Sequence, residues 1–112
     1  MLLSRFILIT FLVLPALSCA TEKTLCPSFF KDNSNVLVGA RLFDGPLSEK
    51  VELVPDNQNN ATWDIRGYKK SGRTINLVCD YKNGEHINVP AHKSSDRCYV
   101  KGEKHVSAWC GE

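Results

Sequence analysis

The stretch "RTINLVCDYKNGEHINVP", Arg73–Pro90, decides the fold, because it contains the clearest strand alternation and turn signal in the chain. Ile75, Leu77, Cys79 and Tyr81 occupy alternate positions, so their side chains lie on one face of a β-strand. The Asn-Gly pair that follows is a strong hairpin signal. The stretch therefore predicts an antiparallel hairpin with one apolar face.

The loop length sets the register of this hairpin. A two-residue turn at Asn83-Gly84 would direct Ile87 and Val89 away from the face that carries Leu77. A three-residue loop, with Gly84 in the left-handed position of a bulged turn, brings the larger apolar groups except Val78 to one face. We therefore predict the three-residue loop, with Cys79 pointing into the core. This register pairs Tyr81 with Glu85, Cys79 with Ile87 and Leu77 with Val89.

Short alternating segments recur on both sides of the hairpin, and turn residues separate them. Helical periodicity is poor throughout. This pattern is typical of an all-β chain, so we predict a small antiparallel sandwich or barrel-like fold of about five to seven short strands, stabilised by disulfides. The inward-facing groups predicted from alternation are Val36, Val38, Ala40 and Leu42, then Trp63 and Ile65, then Cys98 and Val100, then Val106, Ala108 and Cys110.

The first twenty residues, "MLLSRFILITFLVLPALSCA", have the order of a secretory signal: one basic residue, an apolar run and small residues. The apolar run is too short to cross a membrane. We expect cleavage after Ala20, which leaves a periplasmic or secreted bacterial protein. The alternative is a cut before Cys19, which would then be a candidate lipidation site and would anchor the chain at the envelope. Residues 21–112 are predicted to form a single β-rich domain with no transmembrane segment.

Five cysteines are an awkward number for an exported protein, but Cys19 belongs to the export segment. The remaining Cys26, Cys79, Cys98 and Cys110 can form two disulfides in an oxidising compartment. Their spacing contains no C-x-x-C pair, so we predict no metal site. Spacing leaves three pairings open. Our hypothesis is Cys79 with Cys98 and Cys26 with Cys110, which would tie the start of the domain to its end.

The charge balance argues against a nucleic-acid partner. Without Arg5, 13 basic residues face 12 acidic ones, and no long basic run stands out. Glycine-rich phosphate loops are absent too, so we predict no cofactor.

Several motifs along the chain form a combined pattern: "CP" at Cys26-Pro27, "VGARLFDGPLSEKVELVPD" at Val38–Asp56, the single Trp63, "INLVCDY", and "RCYV". The pattern resembles a family of small exported proteobacterial proteins catalogued only under an enterobacterial locus tag. It runs from Cys26 to about Val100. The resemblance implies a periplasmic β-rich protein and assigns no biochemical activity.

Two features are candidates for binding. The segment "RGYKKSGR", Arg66–Arg73, which we call the basic segment, is predicted to be a hairpin tip that could bind an anionic group or an acidic partner surface. The competing interpretation is a solvated loop. Trp109 alternates out of phase with the inward residues near the end of the chain, so we expect it to be an exposed contact. The candidate binding residues are Arg66, Tyr68, Lys69, Lys70, Arg73 and Trp109.

Catalytic motifs are weak. With all mature thiols in bridges, Cys–His catalysis has no nucleophile, and no G-x-S-x-G elbow is present. We predict no catalytic residue and no enzyme activity. Our hypothesis is a periplasmic binding or inhibitor module of the immunity type, with a protein partner. The alternatives are a small hydrolase that uses histidines and carboxylates, or a lipid-anchored structural protein. The groups open to such a hydrolase are His86, His92, His105, Asp64, Asp80 and Glu85.

Overall fold

A computed structural model describes residues 24–56 and 60–112. The predicted signal segment, residues 1–20, and the candidate lipidation site Cys19 lie outside the described residues. The strands are β1 Thr24–Leu25, β2 Phe29–Phe30, β3 Asp32–Asp44, β4 Thr62–Asp64, β5 Ile75–Tyr81, β6 His86–Pro90, β7 Arg97–Lys101 and β8 Ser107–Gly111. A 3₁₀ turn at Leu47–Glu49 and a short helix α1, Arg66–Lys70, complete the described elements.

The strands form two four-stranded antiparallel sheets, which confirms the predicted all-β class. Sheet one has the order β1-β8-β7-β4 and sheet two the order β2-β3-β5-β6. The core lies between them. Sheet two contributes fully buried Leu42 and Leu77, and sheet one contributes fully buried Ala108. The opposite face of sheet two is covered at its centre, where Phe43 and Val78 are also buried.

The predicted hairpin is confirmed in its register. Cys79 lies opposite Ile87, and Leu77 lies opposite Val89. The Tyr81 N–H donates to the Glu85 carbonyl at 2.9 Å, which closes a three-residue loop. Gly84 has a φ of 93°, a conformation that favours glycine. The observed register is therefore the one that brings Leu77, Cys79, Ile87 and Val89 to one face.

One predicted face of β3 is wrong in part. Leu37 lies opposite Tyr81 and Gly39 lies opposite Asp80, so Val38 is an extra residue on the β3 side. This β-bulge removes Val38 from the inward alternation and leaves its side chain 52% exposed. The bulge also reverses the alternation before it, so Leu37 is buried in the core and Val36, likewise predicted to face inward, is not part of it.

Trp63 and Ile65 are both buried, as their alternation predicts. The Trp63 indole N–H donates to the Leu53 carbonyl at 3.0 Å, so its polar group is satisfied inside the protein. Trp63 thereby fixes the segment before β4 against the core.

The four predicted cysteines form two disulfides, but the predicted pairing is wrong. Cys26 pairs with Cys79, and Cys98 pairs with Cys110. Cys26 follows β1 of sheet one, and Cys79 points inward from β5 of sheet two, so the first bridge joins the sheets across the core. Cys98 and Cys110 lie directly opposite each other in the β7–β8 hairpin, with their Cα atoms 3.9 Å apart. This opposition leaves no free partner for the pairing we expected.

Candidate protein-binding face

The outer face of sheet one carries a row of side chains that crosses all four strands. Strand pairing places Leu25 beside Trp109, Trp109 beside Tyr99, and Tyr99 beside Thr62. Their neighbours along the strands, such as Cys98 and Cys110, point into the core, so alternation sends these four outward. We call Leu25, Trp109, Tyr99 and Thr62 the aromatic row.

The aromatic row presents flat, partly accessible surface. The rings of Tyr99 and Trp109 stack with centroids 5.0 Å apart and an interplanar angle of 26°. Both side chains are half-buried, and Leu25 at the end of the row is 55% exposed. Large aromatic side chains held in place by a neighbour lose little conformational entropy when a partner docks, and Trp and Tyr dominate the energetics of protein interfaces.

Two cations border the row on strand β7. Arg97 and Lys101 lie two residues on either side of Tyr99, so all three side chains lie on the outer face. The Lys101 ammonium lies 5.7 Å from the Tyr99 ring centroid and 5.9 Å from that of Trp109, within cation–π range. Arg97 is exposed beside Asp64 of β4.

The predicted basic segment is a helical turn instead of a hairpin tip. Helix α1 leads from β4 of sheet one toward β5 of sheet two, so the chain crosses between sheets here and does not reverse within one. The segment borders an open depression of about 820 Å³ on the surface. Residues of the segment and two carboxylates line it: Asp64, Arg66, Gly67, Tyr68, Lys69, Lys70 and Asp96.

Three of the four basic residues in this segment already have carboxylate partners. Arg66 pairs with Asp64 at 2.6 Å, and Lys69 pairs with Asp96 at 2.9 Å. Arg73 pairs with Asp44 at 2.9 Å. Among the described residues, Lys70 is the one basic residue of the segment without an ion pair. The segment is therefore close to electrically balanced, which favours the solvated-loop interpretation over a grip for anions.

Proton affinities in the segment follow from these pairs. Hydrogen bonds from the Arg66 side chain and backbone hold the pKa of the Asp64 carboxyl well below its usual value. The bond to Asp44 raises the pKa of the Arg73 guanidinium further. The lowered pKa keeps the Asp64 carboxylate ionised, so it remains paired with Arg66.

The structure does not bring all six predicted binding residues into one site. Trp109 lies at the centre of the outer face of sheet one, whereas Arg73 reaches back to sheet two through Asp44. Only Arg66, through Asp64, borders the sheet-one face. Sequence reasoning missed Tyr99, Leu25, Arg97 and Lys101. The alternation of Arg97, Tyr99 and Lys101 around inward-facing Cys98 and Val100 was a usable signal for three of these four.

Comparison with known families gives this geometry a biological context. The sequence profile of the type VI secretion system Tli immunity protein family matches residues 31–110. The chain belongs to this family. The matched region includes β3, both hairpins and the aromatic row apart from Leu25. Neither the curated proteins nor the solved structures contain a significant match to the chain.

Family membership makes the chain an immunity-type module and implies a toxin as its protein partner. The two disulfides fit an oxidising compartment. No helix within residues 24–56 and 60–112 is long and apolar enough to cross a membrane.

The carboxylates that a hydrolase would use are engaged in ion pairs. Asp80 accepts two hydrogen bonds from the Arg41 guanidinium, at 2.7 and 2.8 Å. Hydrogen bonds from Asn83 and Lys31 lower the pKa of Glu85. A general acid in glycoside hydrolysis needs a raised pKa. The pKa shifts of Asp64 and Glu85 go in the opposite direction.

The histidines lie on separate parts of the fold. His86 is exposed on β6, and His105 is exposed in the turn between β7 and β8. The His92 Nδ1 lies 2.8 Å from the Ser94 hydroxyl and accepts from the Ser94 N–H at 3.1 Å, a contact two residues along the chain that is typical of a local turn. All four cysteines in the described part of the chain are bridged. No cluster of metal-ligating side chains occurs among those residues either.

Proposed function

We propose that this chain is an exported immunity protein that binds a type VI toxin in the periplasm and neutralises it without chemistry of its own. The observation that carries the proposal is the family match over residues 31–110. The predicted signal at residues 1–20 supports delivery to the compartment in which the disulfides form.

The proposed contact surface is the aromatic row. A protein that acts by binding needs a region where apolar area and a few anchoring side chains are accessible together. Trp109, Tyr99 and Leu25 supply such a region on a rigid sheet, because the Cys98–Cys110 bridge ties the two central strands together. The basic segment is a weaker candidate, since its cations would have to give up internal partners to bind a toxin.

The proposed mechanism is occlusion of the toxin, with no catalytic step. The candidate carboxylates are held in ion pairs, and the described cysteines are bridged. A bound immunity protein protects in proportion to its occupancy of the toxin. Protection should therefore depend on the expression level of the chain relative to the toxin.

Rescue of growth tests this proposal. A panel of type VI effectors is directed singly to the periplasm of a host that co-expresses the full chain. We expect growth to be restored for at least one effector. A variant without residues 1–20 should not rescue, because it stays in the cytoplasm. Absence of rescue across a panel whose members are each toxic, or equal rescue by the cytoplasmic form, contradicts the proposal.

The intact mass of the exported protein, before and after reduction, tests the processing step. Cleavage after Ala20 leaves a chain that begins at Thr21 and gains the mass of four hydrogens on reduction of two bridges. Acylation at Cys19 would add the mass of its lipid and would place the module at the membrane surface.

A further inference from the structure

We propose that the outer face of sheet one recognises an acidic patch on the toxin, in which carboxylates flank a flat apolar centre. This inference rests on the proposed function, because it names the chemistry of the same partner. The feature that carries it is the stripe of Arg97, Tyr99 and Lys101 along β7, next to Trp109 of β8.

The stripe sets the spacing of the charges that the face recognises. Arg97 and Lys101 are four residues apart on one strand, so their Cα atoms are separated by about 13 Å. Tyr99 lies between them on β7 and stacks on Trp109 of β8, and the Lys101 ammonium lies near both rings. A complementary surface therefore places acidic groups on either side of an apolar contact, at a similar separation.

The cations of the stripe are available to a partner. Neither Arg97 nor Lys101 forms an ion pair with a carboxylate of the described residues, although Arg97 lies opposite Asp64 and its charge contributes to the lowered pKa of that carboxyl. The carboxylate beside Arg97, that of Asp64, is held by Arg66. The other outward positions on the four strands are uncharged: Leu25, Thr62, Ser107, Trp109 and Gly111. The face is thus apolar at its centre and positive at its border.

Docking would remove water from both cations, and this decides the chemistry of the partner. Arg97 and Lys101 would lose hydration without compensation against a neutral or basic surface. Carboxylates on the toxin would restore the lost interactions and also speed the encounter through electrostatic steering. The basic segment differs, because three of its four cations are paired with carboxylates of the same chain.

The test measures association of the oxidised, exported chain with each purified effector of the panel, at low and high salt. The informative variant is R97E/K101E. Its matched control is K82E/K93E, which makes the same change in net charge at two exposed lysines outside both the stripe and the basic segment. We expect the association rate of R97E/K101E to fall at least about tenfold at low salt, with loss of its salt dependence. The control should retain the original rate within about twofold. Exchange of effector carboxylates for lysines should restore binding to R97E/K101E only.

The outcomes separate this inference from the proposed function. Rescue from an effector whose association rate is unchanged in R97E/K101E overturns the inference and leaves the immunity function intact. Binding that depends on the stripe, with no rescue of growth by any effector, supports the inference and contradicts the immunity function. No binding to any effector, or binding that R97E/K101E leaves unchanged, overturns the inference. Stripe-dependent binding to anionic phosphatidylglycerol vesicles without effector binding also overturns it, since the partner is then a membrane. R97Q/K101Q, with circular dichroism of all variants, excludes misfolding as the cause.

Discussion

The basic segment around α1 and the aromatic row on sheet one are neighbours, and they differ in where their partners lie. Cations of the segment form ion pairs with carboxylates of the same chain: Lys69 pairs with Asp96, and Arg73 pairs with Asp44. The row offers accessible rings, and neither of the two cations that border it, Arg97 and Lys101, forms an ion pair with a described carboxylate. Charge density in the sequence is therefore a poor guide to a binding site. Uncompensated charge beside accessible aromatic area is a better one.

Removal of a disulfide should have the largest effect of these changes, and it acts on the unfolding free energy. It tests how far the two bridges stabilise the sheet that carries the aromatic row. The Cys26–Cys79 bridge spans 53 residues and the Cys98–Cys110 bridge spans 12. Loop-closure entropy predicts losses in unfolding free energy of about 4 kcal/mol for C26A/C79A and about 3 kcal/mol for C98A/C110A. Urea unfolding of both variants measures these losses. A larger loss for C98A/C110A would show that chain entropy is not the main contribution.

The same two variants should rank in the opposite order for toxin binding. Cys98 and Cys110 each precede or follow a residue of the stacked pair, so loss of their bridge should loosen Tyr99 and Trp109. Loss of Cys26–Cys79 should reduce the affinity of the folded molecules less, because Cys26 adjoins only Leu25 at the end of the row. Titration calorimetry at a temperature where both variants are folded makes the comparison.

The second prediction removes the rings themselves. Y99A/W109A should weaken toxin binding by about 2–4 kcal/mol, a loss of about thirtyfold or more, because Trp and Tyr are the usual anchors of interfaces. Phe29→Ala is the matched control, since Phe29 is an aromatic residue 50% exposed on sheet two. Binding that falls for Phe29→Ala and survives in Y99A/W109A would move the interface to the other sheet.

Local patterns accounted for much of the fold and for part of this site. The hairpin register and the burial of Trp63 followed from alternation within a few residues, and so did the outward position of Trp109. Val38 escaped prediction because a bulge changes the alternation without a signal of its own in the sequence. The ion pairs of the basic segment were also beyond local patterns, because Asp44 and Asp96 are brought in by tertiary packing.

The error in the disulfide pairing had a different cause. Inward alternation correctly placed Cys79, Cys98 and Cys110 in the core, but alternation does not indicate which inward residues meet across a sandwich. One signal was missed. Cys98 and Cys110 are equally distant from Lys104, at the centre of a polar turn, so an antiparallel hairpin places them opposite each other. Equal distance from a turn thus indicates which cysteines pair across a hairpin, which alternation alone does not.

The third prediction neutralises the basic segment and should have a small effect on binding. R66Q/K69Q/K70Q/R73Q should change toxin affinity by no more than about twofold, because residues at the border of an interface contribute little when truncated. Binding measured beside Y99A/W109A in the same assay gives the comparison. A loss as large as that of Y99A/W109A would assign the toxin contact to the basic segment.

The smallest expected effect is a pH dependence of stability. It reports how strongly Arg66 of the basic segment is bound to Asp64. The Arg66 hydrogen bonds lower the pKa of Asp64 from its ordinary value of 3.8 in the folded state. A lowered pKa means that the folded state binds fewer protons than the unfolded state. The Asp64–Arg66 pair therefore contributes stability above about pH 4, and this contribution disappears as the pH falls through the lowered pKa. Carboxyl-carbon NMR should show Asp64 titrating below 3.8, and Arg66→Gln should move its midpoint upward. An unchanged midpoint in Arg66→Gln would mean that Arg66 is not committed to Asp64 and is free for a partner, which would remove the distinction between the segment and the row.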